Sequence, residues 1–190
     1  MEAVGESLVT RINLGSGPDH KSGWINVDNG VDDHIWDKRG FAENPTYEVK
    51  ADALEYLASL DPGSVDEIYA GHFLEHFEYG LDDWQESEAH TLLSLCHQAL
   101  KTGGIVGIVV PDMKEVLRHY FFDGRDLDDL CAGFIYSNIQ PSRHKWCWDL
   151  ATLRRALERA GFTVTDEIDR YDDPRLAAGA WYQCGLEGVK

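Results

Sequence analysis

The sequence predicts an α/β protein, a three-layer sandwich around a seven-stranded, mostly parallel sheet whose last strand runs antiparallel. Over the first two-thirds of the chain, short β-branched runs alternate with helical or turn segments, which is typical of a parallel sheet covered by helices. The last two predicted strands are joined through a turn at 172–174 with no crossover helix, so they should pair antiparallel. A chain of 190 residues fits one domain, 1–190.

Five strands precede a segment rich in aromatic residues, and two follow it. Turn-forming residues bound most of these runs. The predicted strands are Arg11–Leu14, Trp24–Val27, Tyr47–Ala51, Val65–Ala70, Ile105–Val110, Thr163–Ile168 and Ala180–Gly185.

Two amphipathic helices are predicted from apolar residues that recur with helical spacing. The first covers Glu88–Lys101 and the second covers Leu150–Ala160. Asp149 stands at the N-cap position of the second helix, and Gly161 stands where a left-handed residue would end it. Between Ile105–Val110 and the preceding helix, Gly103 and Gly104 predict a tight turn.

The segment 113–148 breaks this alternation and contains many aromatic side chains. We interpret it as an insertion after the fifth strand that covers the carboxyl edge of the sheet, where open α/β folds bind ligands. The alternative is an ordinary surface helix that packs its rings into the core.

Composition excludes several classes of partner. Lys and Arg number 17 and Asp and Glu number 34, which gives a net charge of −17. Such a charge repels phosphate backbones, so neither nucleic acid nor an anionic membrane is expected as a partner. The longest apolar run, Ile105–Val110, is far shorter than the roughly 20 residues of a membrane span. No secretory signal is recognised at the beginning, so a cytoplasmic location is expected.

The sequence places glycines and carboxylates at the ends of the first four strands. Gly15, Ser16 and Gly17 directly follow the first strand, where small residues allow a ligand to approach the backbone. Position 20 is His, so the third glycine of the dinucleotide fingerprint is missing, which disfavours NAD and FAD. Asp28 ends the second strand, and a carboxylate at that point can accept both hydrogen bonds of a ribose diol.

Five stretches resemble the small class I S-adenosylmethionine-dependent methyltransferases, in particular the type 11 group. They are LGSGP, GWINVD, SVDEIYAGHFLEHF, LKTGG and IVGIVVPD, between about Arg11 and Asp112, and HKWCWDLATLRRALERAGF resembles the later helix of that family. The resemblance implies a Rossmann-like fold, S-adenosylmethionine as cofactor, and O- or N-methylation of a small-molecule or sugar-like acceptor. It leaves open a methyltransferase-like module without catalysis, which binds the cofactor or serves as an interaction subunit.

The resemblance also assigns roles to residues. It implies that Gly15, Ser16 and Gly17 contact the methionine part of the cofactor and that Asp28 contacts the ribose. It also implies that Asp52 and Ala53 contact the adenine, and that Gly71 and His72 contact the sulfonium. Ser16 stands where the group usually has Cys. Ten residues separate Gly17 from Asp28, so the first crossover is too short for a full helix. We expect Asp28→Ala to weaken cofactor binding while leaving the stability of the free protein nearly unchanged.

Methyl transfer to a hydroxyl or amine requires positioning and a base. His72 is the first candidate base and His144 the second, and His76 and Asp112 are further candidates. His72 and His76 have a spacing that can bind metal on a helix, but the resemblance explains LEHF as part of the fold, so no metal site is assigned. A small-molecule acceptor is the expected partner, and a homodimer is left open.

Overall fold

The computed structural model describes residues 9–31, 47–80, 83–124, 144–168 and 182–190. It contains a seven-stranded sheet with the order β3-β2-β1-β4-β5-β7-β6. The strands are β1 Arg11–Leu14, β2 Ile25–Asp28, β3 Val49–Lys50, β4 Val65–Gly71, β5 Leu100–Pro111, β6 Thr163–Glu167 and β7 Gln183–Val189.

The direction of the strands confirms the predicted fold class. The pairs β1–β2, β1–β4, β2–β3 and β4–β5 are parallel. The last strand, β7, lies between β5 and β6 and runs antiparallel to both. The predicted turn at 172–174 falls outside the described residues.

Four α-helices and two short 3-10 helices occur among the described residues. The α-helices are α1 Ala53–Ala58, α2 Glu88–Ala99, α3 Met113–Asp123 and α4 Leu150–Arg159, and the 3-10 helices are Leu74–His76 and Trp84–Glu86. α2 contacts both α1 and α4. None of the described helices has the length and apolar character to cross a membrane.

The start and end of α4 confirm the prediction for this helix. Asp149 caps its N-terminus by accepting a hydrogen bond from the Thr152 amide at 2.7 Å. Gly161 follows the last turn with φ +98°, a left-handed conformation that glycine adopts without a steric penalty. Local sequence signals were sufficient here because a cap depends on neighbours within one turn.

The prediction of a turn at Gly103 and Gly104 was wrong, because β5 begins at Leu100 and continues through both glycines. The irregularity is a register shift opposite Val65 and Glu67 in β4. The amide of Gly103 donates to the carbonyl of Lys190 at 2.9 Å, so this end of β5 pairs with the end of the chain. The strand is therefore longer than its apolar run.

The first crossover, residues 15–24, is a series of turns without a helix, as its length predicts. Two fully buried asparagines hold it: Asn13 on β1 donates through Nδ2 to Oδ1 of Asn26 on β2 at 2.9 Å and to the carbonyl of Asp19 at 2.6 Å. Lys21 lies 2.9 Å from the buried carboxylate of Asp19 and stacks over the Tyr69 ring. A buried polar network thus replaces the apolar face that a helix would supply.

The described part of the aromatic segment contains both core rings and exposed rings. Trp148 is 1% exposed and packs against Tyr79 with a centroid distance of 5.1 Å, and Trp146 packs partly buried against the same core. Phe121 and Phe122 on α3 are 80% and 83% exposed. The alternative of core packing therefore holds for the two tryptophans, and residues 125–143 lie outside the described part of the chain.

Candidate functional site

The residues singled out for cofactor binding meet at the carboxyl edge of the sheet. The neighbouring strands β3, β2, β1 and β4 are parallel, so their carboxyl ends lie side by side. The contacts across this edge are direct: the amide of Gly17, after β1, donates to Asp28 at the end of β2. The amide of Ala51, after β3, donates to the carbonyl of the same Asp28 at 3.0 Å.

The loop after β1 requires glycine at its first position. Gly15 has φ +60°, and a Cβ at this position would overlap the ring of Phe73, which follows β4. Gly17 also has positive φ, at +47°. Between them Ser16 is fully buried, and its hydroxyl has no hydrogen-bond partner among the described residues. A buried hydroxyl in such a loop is suited to a polar ligand group, which fits the cofactor that the resemblance implies.

The carboxylate of Asp28 organises the loops on both sides of β2. Its Oδ2 accepts from the amide of Gly17 at 2.9 Å, and its Oδ1 accepts from the amide of Gly30 at 2.7 Å. A carboxylate has about four acceptor positions, so two bonds leave capacity for the two hydroxyls of a ribose. The side chain is half-buried and is held in place before any ligand binds.

Because of these two hydrogen bonds, Asp28→Ala is now expected to lower the stability of the free protein. The alanine variant loses both backbone contacts, so we expect the free energy of unfolding of the free protein to fall by about 1–3 kcal/mol. Asp28→Asn retains an acceptor oxygen and should lose roughly half as much. Thermal denaturation of the three proteins measures this, and equal melting temperatures would mean that the loop amides find other partners.

Asp52 and Ala53 lie at the start of α1. Oδ1 of Asp52 accepts from the amides of Leu54 at 2.9 Å and Glu55 at 3.1 Å, which makes Asp52 the N-cap of the helix. Ala53 is 7% exposed. Asp52 is itself exposed, so its cap role is compatible with a contact from Oδ2 to an adenine amino group.

His72 leaves β4 in a strained conformation. It is the one non-glycine residue with positive φ, at +52°, in the described parts of the chain. Its amide continues the β4–β5 ladder to the carbonyl of Val109 at 2.8 Å, and its Nε2 lies 2.8 Å from Oε1 of Gln183 on β7. Backbone strain of this kind is often retained at functional positions. The sequence contained no signal for the contact with Gln183.

Glu75 lies among three of the histidines that the sequence offers as candidate bases. Its carboxylate is 1% exposed and lies 3.4 Å from Nδ1 of His72 and 3.9 Å from Nε2 of His144. The rings of His76 and His144 are 5.0 Å apart. Burial would raise the pKa of Glu75, but the facing His72 and the Coulombic attraction of His72, His76 and His144 outweigh it and lower the pKa to about 2. Sequence reasoning treated Glu75 as a fold residue and missed this cluster.

The backbone fixes His144 beside the 3-10 helix Leu74–His76. The carbonyl of Glu75 accepts from the amides of Lys145 at 2.8 Å and Trp146 at 3.2 Å. Asp112, the remaining candidate, caps α3 by accepting from the amides of Lys114 and Glu115. The structure thus joins His72, His76 and His144 and gives Asp112 a helix-capping role.

Several solved structures are similar to this chain. An S-adenosylmethionine-dependent methyltransferase from Archaeoglobus fulgidus is 21% identical, with 96% of this chain and 86% of that chain covered and a TM-score of 0.56. One from Mesorhizobium loti is 16% identical, with 97% and 92% covered and a TM-score of 0.52. The chain has the fold of the class I S-adenosylmethionine-dependent methyltransferases.

A third structure with the methyltransferase fold comes from a complex between the Trm112 methyltransferase activator of Haloferax volcanii and a methyltransferase. It is 19% identical, with 97% of this chain and 83% of that chain covered and a TM-score of 0.56. No family model matches the sequence, and the curated proteins contain no match. At these identities the likeness concerns the fold, and the activity has to be argued from the site.

Proposed function

We propose that this protein is an S-adenosylmethionine-dependent methyltransferase that methylates oxygen or nitrogen of a small-molecule or sugar-like acceptor. The observation that carries the proposal is the convergence of the Gly15–Gly17 loop, Asp28 and His72 at one edge of a methyltransferase-type sheet. The same edge binds ligands in open α/β folds generally.

Different residues at this edge are proposed to bind different parts of the cofactor. We assign the methionine part to Gly15, Ser16 and Gly17, the ribose to Asp28, the adenine to Asp52 and Ala53, and the sulfonium to Gly71 and His72. The bound cofactor supplies a methyl group on a positively charged sulfur, which is already electrophilic. The protein therefore has to hold the acceptor in line, exclude water and receive one proton from the attacking hydroxyl or amine.

His72 and His144 are the proposed groups for that proton. Both imidazoles face the buried carboxylate of Glu75, an arrangement that fixes the orientation of a histidine base. Nε2 of His72 also pairs with Gln183, so His72 can accept the proton only when one of these contacts is released. Because both ring nitrogens of His72 are engaged in this way, a non-catalytic cofactor-binding module is the second candidate function.

The acceptor side is proposed to lie in the segment 113–148. Tyr120 of α3 packs with Met113, Val116 and Tyr182, and the ring of Tyr182 lies 6.1 Å from that of His72. α3 thus connects to the proposed reaction centre through two tyrosines. The apolar surface of this cluster suits the walls of a small-molecule pocket.

Tyr120→Ala tests the acceptor side. We expect it to lower methyl-transfer turnover at least tenfold, while the affinity for S-adenosylhomocysteine changes by less than about threefold, or ~0.7 kcal/mol. Tyr120 is 9% exposed and Trp146 packs against the core, so Tyr120→Ala and Trp146→Ala should both lower the melting temperature, and turnover is compared at a temperature at which each variant is folded. Normal turnover in a folded Tyr120→Ala protein would remove α3 from the acceptor site.

Calorimetric titration with S-adenosylmethionine and S-adenosylhomocysteine tests the proposed function directly. We expect binding to the wild type and a loss of at least tenfold in Asp28→Asn. Asp66→Asn is the matched control, since Asp66 also accepts a backbone amide, from Thr10 at 2.7 Å, but lies at the amino end of β4.

Two outcomes would contradict the proposal. Absence of binding, or equal affinity in both variants, would exclude the assigned cofactor site. Binding without transfer of a tritiated methyl group to any of a set of hydroxyl and amine acceptors would favour the non-catalytic module.

A further inference from the structure

The carboxylate of Glu75 is buried and faces imidazole side chains. Its side chain is 1% exposed, and neither oxygen has a hydrogen-bond partner among the described residues. Its ion-pair partners in those residues are His72 and His144, while the nearby ammonium group of Lys145 turns to Glu88 at 2.7 Å. A buried carboxylate is costly unless a cation or donors satisfy it.

The donor atoms around Glu75 lie close to the separation of ligands that share one metal ion. A ligand atom from each of Glu75, His76 and His144 lies within 4.8 Å of the other two. Two ligands of a tetrahedral zinc ion with bonds of about 2.1 Å are roughly 3.4 Å apart. The distance from Oε1 of Glu75 to Nε2 of His144 is 3.9 Å, so a small contraction would complete the geometry.

The backbone presets this arrangement. Glu75 and His76 belong to one 3-10 helix, and His144 is held beside it because the next two amides donate to the Glu75 carbonyl. Nδ1 of His72 lies 3.4 Å from the same Oε1, with its Nε2 bonded to Gln183.

We propose that Glu75, His76 and His144 form a binding site for a divalent transition-metal ion of the Zn²⁺ class. Imidazole nitrogens combined with one carboxylate oxygen favour such ions over Mg²⁺ and Ca²⁺, which prefer all-oxygen sites. The site joins the segment after β4 to the segment before α4.

This inference goes beyond the proposed methyl transfer and does not depend on it. The two overlap at His144, because a metal-bound Nε2 is not a base and His72 would then be the remaining candidate. S-adenosylhomocysteine binding, measured with and without metal, reports on the cofactor site alone, so failure of one proposal is distinguishable from failure of the other.

The test is to titrate the chelator-treated full chain with Zn²⁺ in competition with a chromophoric chelator. A second titration uses Co²⁺, because its visible spectrum reports its coordination. We expect one equivalent to bind to the wild type. Glu75→Gln, His76→Asn and His144→Gln should each weaken binding at least tenfold. His90→Gln is the matched control, because His90 is a half-buried histidine outside the cluster, and Cys147→Ser controls for binding to an exposed thiol.

Thermal denaturation separates loss of the site from loss of folding. Zn²⁺ should raise the melting temperature of the wild type, His90→Gln and Cys147→Ser, and leave that of a folded His144→Gln protein unchanged. Because Glu75→Gln changes a buried group, His144→Gln and His76→Asn decide the result if Glu75→Gln does not fold. No binding to the wild type, or undiminished binding to these two variants, overturns the proposal.

Discussion

Gly15→Ala is expected to destabilise the protein much more than Gly103→Ala. Both glycines have positive φ, +60° and +80°, so an alanine at either position carries a backbone strain of about 1–2 kcal/mol. At Gly15 the new Cβ would overlap the ring of Phe73. At Gly103 no other group lies within 4 Å of where the new Cβ would be. The overlap should add about 1–3 kcal/mol.

Urea denaturation of the two variants and the wild type measures the difference. Gly103→Ala controls for the backbone conformation, so the excess loss at Gly15 reports the contact with Phe73. Gly15→Ala/Phe73→Ala should recover part of that excess, because the smaller side chain removes the overlap. Equal destabilisation by both alanines would show that the loop and Phe73 separate freely, so that their close contact does not restrict the residue at position 15.

Trp148→Ala is expected to cost about 3–5 kcal/mol of the free energy of unfolding, because it removes a large ring that is 1% exposed. The ring packs on Tyr79, and the adjoining backbone carbonyl accepts from the amide of Met113 at 2.8 Å. Loss of packing here should therefore also loosen the start of α3. Phe121→Ala, at a ring that is 80% exposed, should change stability by less than about 0.5 kcal/mol.

Chemical denaturation of both variants distinguishes the two kinds of ring. A small effect of Trp148→Ala would place the segment before α4 outside the cooperative core. A large effect of Phe121→Ala would mean that this ring contacts part of the chain outside the described residues. Either result would change which side chains are available for an acceptor.

Local sequence patterns were sufficient for elements whose determinants lie close together. β1 was predicted with its observed ends, Arg11–Leu14, and α2 with its observed first residue, Glu88. α4 was predicted together with its cap, Asp149. β7 was shifted, from Ala180–Gly185 to Gln183–Val189, because Glu187 and Gly188 interrupt its apolar pattern although both are buried in the sheet.

The amino-acid sequence was enough to predict the fold class, the positions of Gly15, Gly17 and Asp28 at strand ends, and the resemblance that suggests a cofactor. These depend on periodicity, on turn-forming residues and on the rule that parallel strands share an edge. The contacts that these residues make depend on the tertiary structure. The contact of His72 with Gln183 joins positions 111 residues apart, and the meeting of Glu75 with His144 depends on how a later segment packs beside β4. Such contacts arise from the packing of the whole sheet, and no local pattern encodes a partner at that distance.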